Sequence, residues 1–88
     1  MHERVIKPSE VARMFKLDVK DKRIKKYADL MEKEINGFGN GGRYRLYTAK
    51  EVEVLRYIFR RVAEGDNLPV IIADAVSVFY ESTVVVFG

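Results

Sequence analysis

The 88 residues suffice for one domain with one hydrophobic core, so residues 1–88 are treated as a single unit. An apolar content of 48% beside 33% charged residues is typical of a folded soluble protein, and the lack of cysteine excludes disulfides, thiolate metal sites and thiol catalysis. The net charge is +3, and no apolar run approaches the roughly 20 residues that span a bilayer, so we expect a cytoplasmic protein without membrane contact.

The first half of the chain predicts two helices joined by a short connection. Apolar residues at helical spacing predict a first helix over residues 9–15, with Ser9 as its N-terminal cap. A second helix is expected over residues 20–34, after a connection of about four residues. Two short helices joined in this way are the outline of a helix-turn-helix. The apolar stripe of the second helix consists of Ile24, Tyr27, Ala28, Met31 and Ile35.

A β hairpin is predicted after the second helix. Residues 35–38 would form its first strand, the glycine-rich residues 39–42 its turn, and residues 43–47 its return strand. Alternation along the return strand places Tyr44 and Leu46 toward the core, with Arg43 and Arg45 on the other face. A glycine-rich hairpin with two arginines is typical of a wing that contacts a phosphate backbone.

The second half of the chain predicts two further helices and an apolar tail. A third helix begins at a capping box formed by Thr48 and Glu51 and ends before Gly65. A fourth helix is expected over residues 69–79. The tail, residues 83–88, is β-prone, and three outcomes stay open for it: a strand beside the wing, a contact with a second subunit, or disorder.

The second helix carries its charges in an order that opposes the helix dipole. Cations fill its first half and acids gather in its second half, at a cost of about 0.3–1 kcal/mol for each exposed charge. A pattern that costs stability suggests another use, and the N-terminal half of a recognition helix is the part that enters the major groove. The alternative is a solvated charged face. The cations are Lys20, Lys22, Arg23, Lys25 and Lys26.

Taken together, the chain resembles the winged helix-turn-helix DNA-binding domain of the MerR family. The resemblance covers about residues 5–79, and its most specific part is the run Tyr44-Arg45-Leu46-Tyr47-Thr48 with the helix start that follows. It implies a mainly α fold of about four helices plus a two-stranded wing. It also implies a homodimer on duplex DNA, with the second helix in the major groove and Arg45 as the wing arginine.

This chain differs from the MerR family in two ways that limit the properties implied by the resemblance. The family has Gly-Val and a small capping residue before the second helix, whereas this chain has Leu17-Asp18-Val19-Lys20, so Asp18 or Asp21 is expected to cap that helix. The long dimerisation helix and effector domain of typical activators do not follow, so metal or drug sensing is not inherited. A subgroup with a similar domain acts in chromosome anchoring and plasmid partition, so transcription regulation, DNA segregation and phage-type excision all stay open.

The sequence therefore predicts a duplex DNA-binding protein, associated with the nucleoid or a plasmid. The alternative is a protein-interaction module of a replication or partition assembly, in which the cationic face meets an acidic protein. We expect no enzyme, metal, cofactor or small-molecule effector, because the single histidine, His2, lies near a terminus and no catalytic constellation is present. The predicted DNA-binding residues are Lys20, Lys22, Arg23, Lys25, Lys26, Arg43 and Arg45.

Overall fold

A computed structural model describes residues 5–41 and 44–81. These residues form four α helices around one core: α1, Pro8–Met14; α2, Arg23–Glu34; α3, Ala49–Ala63; and α4, Leu68–Val76. A short turn, Phe38–Gly41, follows α2, and a π-helical turn, Ser77–Glu81, follows α4. We call the first the 3₁₀ turn, although its backbone is left-handed at Gly39 and Asn40, with φ of 63° and 68°. None of the described helices combines the length and the apolarity needed to cross a bilayer.

The predicted two-stranded wing is wrong, because the described residues contain no strand or sheet and form an all-helical fold. The β-type pairing found there is an isolated antiparallel bridge between Ile6 and Tyr47. Side chains take the place of a backbone ladder: Asn40 donates to the carbonyl of Tyr44 at 3.0 Å, and Arg45 donates to the carbonyl of Phe38 at 2.8 Å. The chain therefore coils back onto α2 instead of forming a hairpin.

Helix α1 differs from the prediction at both ends. It begins at Pro8 with Lys7 as the cap residue, not with Ser9, because the fixed φ of proline suits the first helical position. At its C-terminus the Leu17 amide donates to the carbonyl of Ala12 at 2.8 Å, and the Lys16 amide donates to that of Arg13. This pair of bonds is a Schellman motif, with Lys16 at its left-handed position and φ of 61°.

The connection between α1 and α2 covers residues 15–22 and is longer than predicted. Two aspartates shape it, because Asp18 accepts a hydrogen bond from the Lys20 amide at 2.7 Å and Asp21 accepts one from the Arg23 amide at 2.9 Å. The first bond satisfies an amide of the connection and the second satisfies the first amide of α2, which starts at Arg23 and not at Lys20. Neither aspartate is the cap residue that was expected, because the cap is Lys22 and its side chain makes no capping bond; Asp21 binds the Arg23 amide from the residue before the cap.

The start and end of α3 confirm the prediction. The Glu51 amide donates to the Thr48 hydroxyl at 3.1 Å, and the Thr48 amide donates to the Glu51 carboxylate at 3.0 Å, which completes the capping box. Gly65 follows the helix with φ of 91°. Helix α4 begins after Asn67 and ends at Val76, shorter than predicted. The tail, residues 83–88, lies outside the described residues.

The core confirms the helical stripes and corrects the predicted strand. Ile24, Tyr27, Ala28 and Met31 of α2 are buried, together with Val52, Leu55 and Ile58 of α3. Ile35 is half-buried. Tyr44, which alternation placed in the core, is 76% exposed, whereas Tyr47 is fully buried. Arg45 faces inward instead of outward, because a single bridge imposes no alternation along residues 44–47.

Candidate nucleic-acid interface

The five cations predicted on the second helix lie on the surface around the start of α2. Lys20 and Lys22 belong to the connection, and Arg23, Lys25 and Lys26 belong to the first turns of the helix. All five side chains are exposed. Lys22 and Lys26 lie one helical turn apart and therefore on the same side of the helix. The bends of the connection, which Asp18 and Asp21 stabilise, bring Lys20 to the same region.

Two of these cations are paired within the connection and α2. The Arg23 guanidinium lies 2.7 Å from the Asp21 carboxylate, and the Lys25 ammonium lies 2.9 Å from the Asp29 carboxylate. The hydrogen bonds from the side chain and amide of Arg23 lower the pKa of Asp21 to about 2, so this carboxylate stays charged at neutral pH.

Three lysines of this region have no ion pair with any residue of 5–41 or 44–81. They are Lys20, Lys22 and Lys26, and we call them the lysine surface. Lys22 and Lys26 lie at the cap and in the first turns of α2, where positive charge is unfavourable, and no ion pair with the described residues offsets this.

A groove of about 310 Å³ lies beside the lysine surface, between α1 and the start of α2. Pro8, Ala12 and Val19 form an apolar part of its wall. Four of the predicted site residues line it: Lys20, Lys22, Lys25 and Arg45. A shallower depression on the other side of the first turns of α2 is lined by Lys22, Lys25 and Lys26. The structure therefore brings the six described site residues together around the start of α2. Arg23, Lys25 and Arg45 are ion-paired, whereas the three lysines of the lysine surface have no ion pair with the described residues.

Arg45 is held by internal partners and not directed to solvent. Its side chain is 10% exposed, and its guanidinium binds the carboxylates of Asp29 and Glu32 at 2.5 and 2.6 Å. The same group donates to the carbonyls of Phe38 and Gly39. Arg45 thus joins α2 to the 3₁₀ turn, which differs from the exposed wing contact expected for it. Arg43 lies outside the described residues.

Two features near this groove, a hydrogen bond of Glu51 and the burial of Tyr47, were not predicted from the sequence. Besides its capping bond, Glu51 accepts a hydrogen bond from the Gly39 amide at 3.1 Å, which ties the 3₁₀ turn to the start of α3. Tyr47 lines the base of the groove, and burial raises the pKa of its hydroxyl to about 12, so the group remains neutral. One sequence feature could have predicted a buried arginine: the acids Asp29 and Glu32 lie one turn apart on α2.

Comparison with known proteins adds no relative to these observations. No protein-family model, curated protein or solved structure matches the chain. The resemblance to the MerR family therefore stays a prediction from the residues, and a proposal for the function rests on the geometry.

Proposed function

We propose that the lysine surface binds the phosphate backbone of duplex DNA. The observation that carries the proposal is the group of three exposed lysines around the start of α2, which make no ion pair within residues 5–41 and 44–81. Between residues 20 and 29 five cations accompany two carboxylates, an excess of three that equals the net charge of the whole chain. Such concentrated positive charge is the electrostatic footprint of a nucleic-acid binder.

In this proposal the start of α2 approaches the major groove, which is wide enough to admit an α helix. Lys20, Lys22 and Lys26 contact phosphates and supply most of the affinity, while the paired residues Arg23 and Lys25 exchange their carboxylate partners for phosphates on binding. The sequence resemblance supports a role in transcription regulation or DNA segregation, with two copies on a palindromic site. Selecting bound duplexes from a random pool tests this finer role, because a homodimer enriches two-fold symmetric sites.

A salt titration of two charge-matched variants tests the proposal. The change is Lys22→Ala with Lys26→Ala, and the control is Lys33→Ala with Lys50→Ala, which removes the same charge from the far end of α2 and from α3. Binding of a fluorescent random-sequence duplex is measured by anisotropy between about 50 and 200 mM salt. We expect the slope of log K against log salt to fall by about 1.8 in the first variant, because each phosphate contact contributes about 0.9.

The control variant should keep nearly the full slope of the unaltered protein. Equal slope changes in the two variants would mean that net charge alone attracts DNA and that the lysine surface has no special role. A wild-type protein that fails to bind duplex at micromolar concentration and low salt would favour the protein-interaction alternative.

A further inference from the structure

A second groove lies between the end of α1 and the outer face of α3. It has a volume of about 350 Å³, and Met14, Phe15 and Phe59 form its apolar base. The rings of Phe15 and Phe59 meet edge to face at 5.4 Å, and the Met14 side chain is 47% exposed. We call this the Phe15–Phe59 groove. It shares no lining residue with the groove beside the lysine surface, but the Arg23 guanidinium, proposed above to bind phosphate, lies over the Phe59 ring at 5.2 Å, so the two surfaces adjoin.

Three cations surround the apolar base: Lys16, Arg56 and Arg60. The Arg56 guanidinium lies over the Phe15 ring at 5.1 Å and pairs with Glu53 at 3.5 Å. Arg60 pairs with Glu64 at 4.0 Å. Both pairs are long and exposed, so the carboxylates of a ligand can replace these acids at little cost.

Lys16 occupies a backbone position that suits a different residue. Its φ of 61° is the left-handed conformation that closes the Schellman motif at the end of α1. Glycine and asparagine adopt this conformation with less strain than a lysine does. The chain thus places an exposed cation beside the groove at some cost to the fold, and strain of this kind concentrates at functional sites.

We propose that the Phe15–Phe59 groove binds a peptide segment of a partner protein in which an apolar side chain lies between acidic residues. The apolar base provides the contact for that side chain, and the three cations provide partners for the flanking carboxylates. A phosphodiester chain would match the cations but would leave Met14 and the two rings without an apolar partner. The chemistry of the groove therefore fits an acidic peptide better than a nucleic acid. A peptide bound there would give the protein a second partner besides the proposed DNA.

Selection of random peptides displayed on yeast, with the folded 88-residue chain as the target, tests the proposal. We expect the enriched peptides to combine an apolar residue with neighbouring Asp or Glu. In anisotropy titrations of such a peptide, Lys16→Asn should weaken binding about three- to tenfold through loss of one charge contact. The same variant should melt at an equal or higher temperature, because asparagine tolerates the left-handed backbone. Lys33→Ala, distant from the groove along the chain, is the control and should leave the peptide affinity unchanged.

Arg60→Ala is the second test variant, since it removes an exposed side chain without altering the backbone of α1. The proposal fails if selection enriches no acidic peptides with an apolar residue, or if their affinity is the same in Lys16→Asn, Arg60→Ala and the wild type. It also fails if these two variants keep peptide binding and weaken duplex binding instead, because the groove would then contact DNA.

Discussion

Gly39 occupies the most restricted backbone position of the 3₁₀ turn. Its φ is 63°, and its amide donates to the Glu51 carboxylate. A Cβ atom at this residue would lie 3.0 Å from Cε1 of Tyr47 and 3.1 Å from Nη1 of Arg45. Both neighbours are packed side chains with little room to move, so a glycine is needed for backbone and packing reasons together.

Gly39→Ala is expected to lower the free energy of unfolding by about 2–5 kcal/mol, as the sum of left-handed strain and overpacking. Gly37→Ala is the matched control, because Gly37 has φ of 85° but a Cβ atom added there would meet no other atom within 4 Å. The control should lose about 1–2 kcal/mol from strain alone. Urea denaturation measures both values, and equal losses would contradict the packing contribution at Gly39.

Helix α2 shows why its acids lie at the C-terminal end despite the helix dipole. Asp29 and Glu32 bind the Arg45 guanidinium, and Asp29 also binds Lys25. The structure gives these acids a role in the fold. Internal pairing therefore accounts for Arg23, Lys25, Asp29 and Glu32 in the unusual charge order, but within the described residues it accounts neither for Glu34 nor for the lysine surface.

The pairing of Asp29 predicts an acid-sensitive stability. Burial raises the pKa of Asp29, but hydrogen bonds from Lys25 and Arg45 outweigh it and hold this pKa below the ordinary value of 3.8. The carboxylate therefore stabilises the fold fully above about pH 4, and the stabilisation is lost as the pH falls through the folded-state pKa. We expect Asp29→Asn to flatten the dependence of unfolding free energy on pH below 4.

Glu34→Gln is the control for this measurement. Glu34 is exposed at the end of the same helix and has no ion pair with the described residues. Its substitution should leave the acid limb of the stability curve as steep as in the wild type. A curve for Asp29→Asn that overlays the wild-type curve would show that the Arg45 contact contributes nothing through this carboxylate.

Local signals in the sequence predicted the helices well and the connection between α2 and α3 poorly. The apolar stripe of α2 and the capping box of α3 depend on residues within one or two turns of each other. The glycines at 37–41 are compatible with a hairpin turn and with the left-handed turn that the structure has, because positive φ occurs in both. The choice depends on Arg45 reaching Asp29 and Glu32 on another element, which no local pattern encodes.

At the scale of the whole molecule, the groove beside the lysine surface has a structural base and a free edge. Tyr47 and Arg45 line its base and belong to the folded framework, whereas Lys20 and Lys22 line its edge and make no ion pair with the part of the chain that the structure describes. The sequence predicted Arg45, Lys20 and Lys22 as DNA contacts, but not Tyr47. It could not distinguish the buried cation from the exposed ones, because burial of a guanidinium is a property of the assembled fold.

This separation predicts opposite effects for two kinds of substitution. Arg45→Gln should lower the free energy of unfolding by about 2–3 kcal/mol, because two carboxylates and two carbonyls lose a charged donor. Where the variant is still folded, its salt slope for duplex binding should match the wild type. Lys22→Ala with Lys26→Ala should change the salt slope and leave the unfolding free energy within about 0.5 kcal/mol of the wild type, as exposed surface substitutions do.

Chemical denaturation and anisotropy titration of the same samples measure the two effects together. An Arg45→Gln variant that loses about 0.9 from the salt slope, with its stability intact, would mean that Arg45 contacts a phosphate and that its bonds to α2 are incidental. Loss of stability in the lysine variant would mean that these side chains have a role in the fold. The first outcome would place Arg45 among the DNA contacts and the second would place the lysines in the folded framework, so in either case the free edge of the groove and its structural base would no longer be distinct.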